Sequence, residues 1–232
     1  MEGTKGILAI ETSGRHGSVA ILSVSSGGVR SVSQIALSGD ERTAQALAPA
    51  IQSLLRKSDW APRNVRLVAV ALGPGSFTGL RIGVTTAKAF AYATEAEIVG
   101  VNTLEVLATQ TGLIDASVWA ILDAQRQELF AAKFRASQHV EPRIERQTSI
   151  IAREAWLEAL RPGDHVIGPP LQQLSEELPA GVQMVSQSAW QPMAHAVGRL
   201  AWQKYCNDQR DDVWQLVPQY FRASAAEEKN PV

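Results

Sequence analysis

Residues 118–134, VWAILDAQRQELFAAKF, hold an apolar run, Val118 to Leu122, closed by Asp123, a polar turn Ala124-Gln125-Arg126-Gln127, and a second apolar run from Glu128 to Phe134. Two short apolar runs around a polar turn read as a β-hairpin. The same design opens the chain in residues 7–24, ILAIETSGRHGSVAILSV, where Ile7 to Glu11 is followed by the turn Thr12 to Gly17 and by Ser18 to Val24. Both first strands end in a carboxylate, Glu11 and Asp123. The pattern reads as a duplicated unit, and hence as two α/β lobes that face each other across a cleft.

Outward from the first hairpin, Val29 to Leu37 reads as a third antiparallel strand after a Gly27-Gly28 turn. From Arg42 to Lys57, Leu47, Ile51, Leu54 and Leu55 recur at helical spacing, and Pro49 inside that helix is expected to bend it or loosen a turn. Leu67 to Leu72, LVAVAL, is continuous rather than alternating, as in a strand covered on both faces. A helix reaching about Ala93, a strand at Ile98 to Val101 and a helix from about Thr103 complete a mixed-sheet α/β layer. The expected organisation is a first lobe at 1–108, a second and more variable lobe at 109–222 whose C-terminal part packs back on the first, and a flexible tail at 223–232. Five of the six tryptophans (119, 156, 190, 202 and 214) follow residue 116, so the second lobe is expected to be the more aromatic.

Composition narrows the function classes. The chain has 232 residues, is 45% hydrophobic and carries a formal charge of −1, enough apolar content for a sizeable core and no bulk attraction to nucleic acid or anionic membrane. The one cysteine, Cys206, allows no internal disulfide and no thiolate metal cluster, which suits a reducing, cytoplasmic address. The longest uncharged stretch, Leu178 to Gly198, contains prolines, glutamines and His195, and cannot cross a bilayer.

Between the buried strand and its helix lies Gly73-Pro74-Gly75-Ser76-Phe77-Thr78-Gly79. A helix start there could hold an anion, but Leu80-Arg81 stands where a P-loop needs Lys-Ser/Thr, and a tight turn that requires glycine is the favoured reading. Gly79, Gly83, Ala87 and Ala91 then fall in one row along the helix, and Ala44 and Ala48 lie beside the Leu47/Ile51/Leu55 stripe of the preceding helix. Small residues permit close helix approach, either to the chain's own sheet or to a second protein. The histidines 16, 139, 165 and 195 are scattered, so no metal site and no cofactor is expected, and no catalytic residues are assigned. Glu11 and Asp123 are the candidates for a nucleotide site, since a carboxylate pair across a cleft could hold Mg²⁺; otherwise they accept turn hydrogen bonds.

The opening ILAIETSGRHGSVAIL, the stretch ERTAQALAPAIQSLL, and above all GPGSFTGLRIGVTTAKAFAYATEAEIVGVNTLEVLA resemble the TsaB (YeaZ) family, as do LDAQRQELFAAKF and the late Pro218-Gln219-Tyr220-Phe221-Arg222. The resemblance spans nearly the whole chain and is dense through about residue 108. It implies an actin-like, sugar-kinase-type (ASKHA) α/β fold of two lobes. It also implies a non-catalytic role in making N6-threonylcarbamoyladenosine at position 37 of tRNA. The implied partners are a paralogous catalytic TsaD-like subunit, a TsaE-like ATPase, and tRNA reached through the complex. Helices that expose an apolar surface could also join two copies of the free chain as a homodimer, an alternative the sequence leaves open. Where TsaD-like proteins carry an H-x-x-x-H pair, this chain has Glu41-Arg42-Thr43-Ala44-Gln45. Members of the family usually have Asp at Glu11, and many have His at Arg42.

The resemblance places the interface on the first two helices, at Ala44, Leu47, Ala48, Ile51, Leu55, Gly79, Gly83, Ala87 and Ala91. Gly83→Leu is then expected to block partner binding and spare the fold. The alternative is an ASKHA-type ATP-dependent phosphotransferase or ATPase that uses Glu11 and Asp123.

Overall fold

The computed structural model describes residues 5–25, 28–37, 43–137 and 141–222. The flexible tail expected at 223–232, Glu41-Arg42 and Gly27 lie outside the described residues.

The first unit runs β1 (Lys5–Glu11), β2 (Ser18–Ser25), β3 (Gly28–Ala36), α1 (Thr43–Lys57), β4 (Val65–Gly73), α2 (Phe77–Thr94), β5 (Glu97–Asn102) and α3 (Thr103–Gln110). The second runs β6 (Ser117–Asp123), β7 (Glu128–Arg135), β8 (Arg143–Ala152), α4 (Arg153–Ala159), β9 (His165–Ile167), α5 (Leu171–Leu174), β10 (Gln183–Met184) and α6 (Ala194–Cys206). Strand orders are β3-β2-β1-β4-β5 and β10-β9-β6-β7-β8, so the two sheets repeat one topology with β6 in the place of β1. Each has an antiparallel hairpin and third strand on one side and parallel strands on the other. The hairpins at 7–24 and 118–134 are therefore halves of a duplicated, two-lobed α/β fold.

Alternation along the strands sorts the first core into two layers. Leu8, Ile10, Val19 and Ile21 face α1 and α2, whereas Ile7, Ala9, Ala20 and Leu22 face the opposite side. That opposite side is covered by α6 through Ala194, Val197, Leu200 and Ala201. Conversely, Leu104, Leu107 and Ala108 of α3 enter the second lobe's core with Val118, Ile121 and Trp156. Each unit's last helix thus covers the other unit's sheet.

Of the residues expected in the second lobe, those of α6 pack on the first. Trp119, Trp156 and Trp190 belong to the second core, but Trp202 packs beneath the first sheet and Trp214 lies 66% exposed. α1 remains one helix through Pro49, whose side chain faces solvent on the exposed face.

The contact between α2 and β1 is very close. A Cβ on Gly79 would lie 2.0 Å from the Thr12 carbonyl oxygen, and one on Gly83 2.2 Å from Thr12 Oγ1. Thr12 Oγ1 donates to the Gly79 carbonyl at 2.8 Å, so the row of small residues lets the helix sit on the first hairpin turn.

Two expectations follow. A fragment of residues 1–108 lacks α6, leaves Ile7, Ala9, Ala20 and Leu22 uncovered, and shows no cooperative thermal transition by circular dichroism. Gly83→Leu lowers the stability of the isolated chain by about 3 kcal/mol in chemical denaturation, because the clash is with the buried Thr12 hydroxyl and displaces its hydrogen bond to the Gly79 carbonyl.

Candidate partner interface and interlobe cleft

The close approach of α2 corrects the assignment of its small residues. Gly79, Gly83, Ala87 and Ala91 are all buried on the chain's own sheet, the reading in which the row serves internal packing. Leu47, Ile51 and Leu55 of α1 are likewise buried in that core. A second protein cannot reach them, so Gly83→Leu tests the fold rather than an interface.

Ala44 and Ala48 are exposed, and they lie on α1's outer face with Gln45 and Gln52. On α2 the exposed row is offset from the buried one: Arg81, Thr85, Ala89 and Ala93 stand four apart and face solvent. α1 and α2 contact one another on the same side of the sheet. Together their outer faces present the short side chains of Ala44, Ala48, Thr85, Ala89 and Ala93 among the longer Gln45, Gln52 and Arg81.

This outer row was missed because Thr85, Ala89 and Ala93 read as filler beside two glycines. The signal was a second series of small residues half a turn away. One flank of α2 carries an aromatic seam that sequence reasoning also missed. Tyr92 is 66% exposed and meets Trp214 edge-on with ring centroids 5.2 Å apart. Phe77 stacks on Tyr220 at 4.6 Å, and Arg81 lies 3.9 Å above the Phe77 ring while its Nε donates to the Tyr220 hydroxyl.

The lobes enclose a cavity of about 480 Å³ lined by Pro74 to Thr78, by Asp123 to Arg126 with Phe130, and by Gln219 to Arg222. A second cavity, of about 400 Å³, lies beyond the β6–β7 turn between Asp123, Arg153 and Pro169. That turn holds Gln125, Arg126 and Gln127 with φ of 61°, 55° and 61°. Asp123 lines both cavities, and its Oδ1 accepts the Gln125 N–H at 2.8 Å.

Glu11 lines neither cavity and is fully buried. Its Oε1 accepts the Ser13 N–H at 2.7 Å and the Ser13 hydroxyl, while Oε2 has no partner among the described residues. The structure therefore does not bring the two carboxylates into one site for Mg²⁺, because the first hairpin turn folds over Glu11.

The glycine turn is committed in the same way. Ser76 N–H donates to the Ser13 carbonyl at 2.7 Å, Ser76 Oγ caps α2 by accepting Gly79 N–H, and Gly75, at φ 156°, leaves only 2.5 Å between a Cβ and the Ser13 oxygen. The turn packs against the first hairpin, in line with the structural reading. No group of three or more His, Cys, Asp or Glu among the described residues could hold a metal ion, and no helix among them is long and apolar enough to cross a membrane. Cys206 is exposed at the end of α6.

Burial raises the Glu11 pKa from 4.5 to about 7, against the opposing hydrogen bonds from Ser13. A raised acid stabilises the fold in its protonated form. That contribution is complete below about pH 4.5 and is lost as pH rises through about 7. Glu11→Gln, an uncharged isostere, is expected to match the parent below pH 4.5 and to exceed it by about 3 kcal/mol at pH 8, read from denaturant titrations across pH.

A family model described as TsaD, tRNA N6-adenosine threonylcarbamoyltransferase, matches residues 37–186. The chain is 30% identical over 192 residues to the tRNA threonylcarbamoyladenosine biosynthesis protein TsaB of Bacillus subtilis, an alignment covering 78% of this chain and 80% of the relative. The TsaB protein of Escherichia coli is 31% identical over 97 residues, 41% of this chain and 42% of that one. In three dimensions the chain is similar to YeaZ from Pseudomonas aeruginosa, with a TM-score of 0.78 at 23% identity over 93% of this chain and 99% of the other, a likeness of fold. With the duplicated sheets and these similarities together, the chain belongs to the TsaB (YeaZ) family, whose curated members are tRNA threonylcarbamoyladenosine biosynthesis proteins.

Proposed function

We propose that this chain is a non-catalytic subunit of the cytoplasmic machinery that makes N6-threonylcarbamoyladenosine at position 37 of tRNA, and that it binds and activates a TsaD-like catalytic subunit through the outer faces of α1 and α2. The observation that carries this reading is the pair of exposed helix faces with short side chains: Ala44 and Ala48 on one, Thr85, Ala89 and Ala93 on the other. A helix pair of the same architecture can approach such a surface closely enough for backbone-to-backbone packing. Membership in the TsaB family supports the pathway, and the match of the TsaD family model to residues 37–186 supports a partner with a related fold. A TsaE-like ATPase joins the resulting pair, and tRNA is reached through the catalytic subunit, in keeping with a formal charge of −1 on this chain. In the absence of the partner, the same faces join two copies of the chain.

The phosphotransferase alternative requires Glu11 and Asp123 around one metal-bound nucleotide. Against it stands the burial of Glu11 outside the cleft, with one carboxylate oxygen held by Ser13.

The test is a reconstitution of tRNA threonylcarbamoylation from the paralogous subunit, the ATPase and the adenylate-forming enzyme. Leaving out this chain is expected to abolish modification. Ala48→Arg/Ala89→Arg places two long charged side chains on the outer faces; it is expected to weaken association with the paralogous subunit by at least about tenfold and to lower modification in parallel, with the isolated chain's Tm unchanged. Glu11→Gln/Asp123→Asn is expected to keep modification within about twofold of the parent. Its loss in a folded, complex-forming double variant would place chemistry in the cleft instead.

A further inference from the structure

After α6 the chain does not remain beneath the first sheet. Residues 211–222 form a strap that runs along the edge of the first lobe and ends on the second. Asp211 pairs with Ile98 at the free edge of β5, and its carboxylate accepts the Gly100 N–H at 2.8 Å. Leu216 is buried in the core formed by α1 and α2. The carbonyls of Trp214 and Leu216 accept from Lys88 Nζ at 3.1 and 3.0 Å, and Gln219 N–H donates to the Leu72 carbonyl at 2.8 Å.

The last two residues then cross the cleft. Phe221 meets Phe130 of β7 edge-on, with centroids 6.3 Å apart. Arg222 donates through Nη1 to the Ala124 carbonyl at 2.6 Å and forms an ion pair through Nη2 with Glu128, both in the second hairpin. One continuous segment is thus bonded to the glycine turn's strand on one side of the cavity and to the β6–β7 turn on the other.

We propose that this strap is an interlobe clamp that holds the cleft at one opening, with Arg222 as its terminal anchor. Two-lobed enzymes of hinged design open and close around substrate. Such hinging changes the separation between the two walls of a cleft, and here the walls are Pro74 to Thr78, continuous with Leu72 of β4, and Asp123 to Arg126, continuous with Glu128 of β7. A hydrogen bond to the first wall and a charge-assisted pair to the second, only three residues apart, leave too little chain for the walls to separate while both bonds persist. The exchange of α3 and α6 joins the lobes at their sheets, and the strap closes the loop at the cleft mouth. The lobes therefore move as one body, and the cleft is a fixed cavity rather than a substrate trap. The inference concerns the isolated chain and is independent of the partner reading.

Hydrogen–deuterium exchange and pulsed-EPR distances test it. Spin labels at Gln52→Cys on α1 and Glu158→Cys on α4, in a Cys206→Ser background diluted with unlabelled chain, report the lobe separation; all three positions are exposed. Arg222→Ala is expected to broaden that distance distribution and to speed exchange about tenfold or more at the Ala124 and Glu128 amides and at the Gln219 amide on the first lobe. Arg222→Glu/Glu128→Arg restores the pair with reversed charge and is expected to recover the narrow distribution. An unchanged distribution in Arg222→Ala, with faster exchange confined to Phe221 and Arg222, would overturn the clamp. If Arg222→Ala does not fold, the same distances in Arg222→Gln, which keeps part of the side chain but loses the charge that pairs with Glu128, decide: a parent-like distribution there overturns the clamp, and a broadened one supports it.

Discussion

α3 follows the first sheet but is buried in the second lobe's core, and α6 follows the second sheet but is buried beneath the first. Where they cross, Lys204 Nζ lies 3.1 Å from Glu105 Oε2 and 3.6 Å from Glu141 Oε2. Burial pushes the Glu105 pKa up, and Lys204 opposes that shift both as a neighbouring charge and as a hydrogen-bond donor. Removing one partner of so enclosed a pair leaves the other without a counter-charge, which makes the crossing specific as well as apolar. Neither lobe can bury its own sheet alone, and so the two behave as one cooperative unit.

Once α6 covers one face of the first sheet, α1 and α2 must cover the other, and α2 can do so only by touching the turn at Thr12. Glycine at positions 79 and 83 makes that contact possible. A helix held so tightly on its inner side has a fixed outer side, and the row from Arg81 to Ala93 is presented rigidly. Two small-residue rows half a turn apart thus do different work. One lets the helix approach its own sheet, and the other leaves Thr85, Ala89 and Ala93 exposed to solvent.

The same turn explains what became of the cleft. Its backbone bonds to Ser76, and its Ser13 side chain holds Glu11, which withdraws that carboxylate from the space between the lobes. What lines the cleft instead is the strap, with Tyr220 and Phe221 as walls and Arg222 as its bond to the second lobe. The cleft between the lobes is thus kept open while Glu11 serves the fold.

The duplicated hairpins, the order of helices and strands in the first lobe, and the family were legible in the residues alone, because each is written in local periodicity or in a contiguous motif such as GPGSFTGLRIG. The sequence marked Gly79 to Ala91 as a close-contact row for the same reason, since a four-residue spacing fixes one helix face. Which body meets that face is another matter: a row of small residues fits a sheet as well as a partner, and only the packing of Gly83 on Thr12, where an added Cβ would lie 2.2 Å from Oγ1, decides between them. Glu11 and Asp123 stand at matching positions in matching hairpins, yet one is sealed by its own turn and the other is open to solvent, a difference set by residues such as Ser76 and Gly75, more than sixty positions away. The return of the C-terminal part to the first lobe was expected in outline, but the reciprocal crossing of α3 and the bonds of the strap were out of reach. Their partners are Glu105 with Lys204 and Arg222 with Glu128, pairs about a hundred residues apart in the chain, and contacts at that separation are selected by the packing of whole lobes, which leaves no local pattern to read.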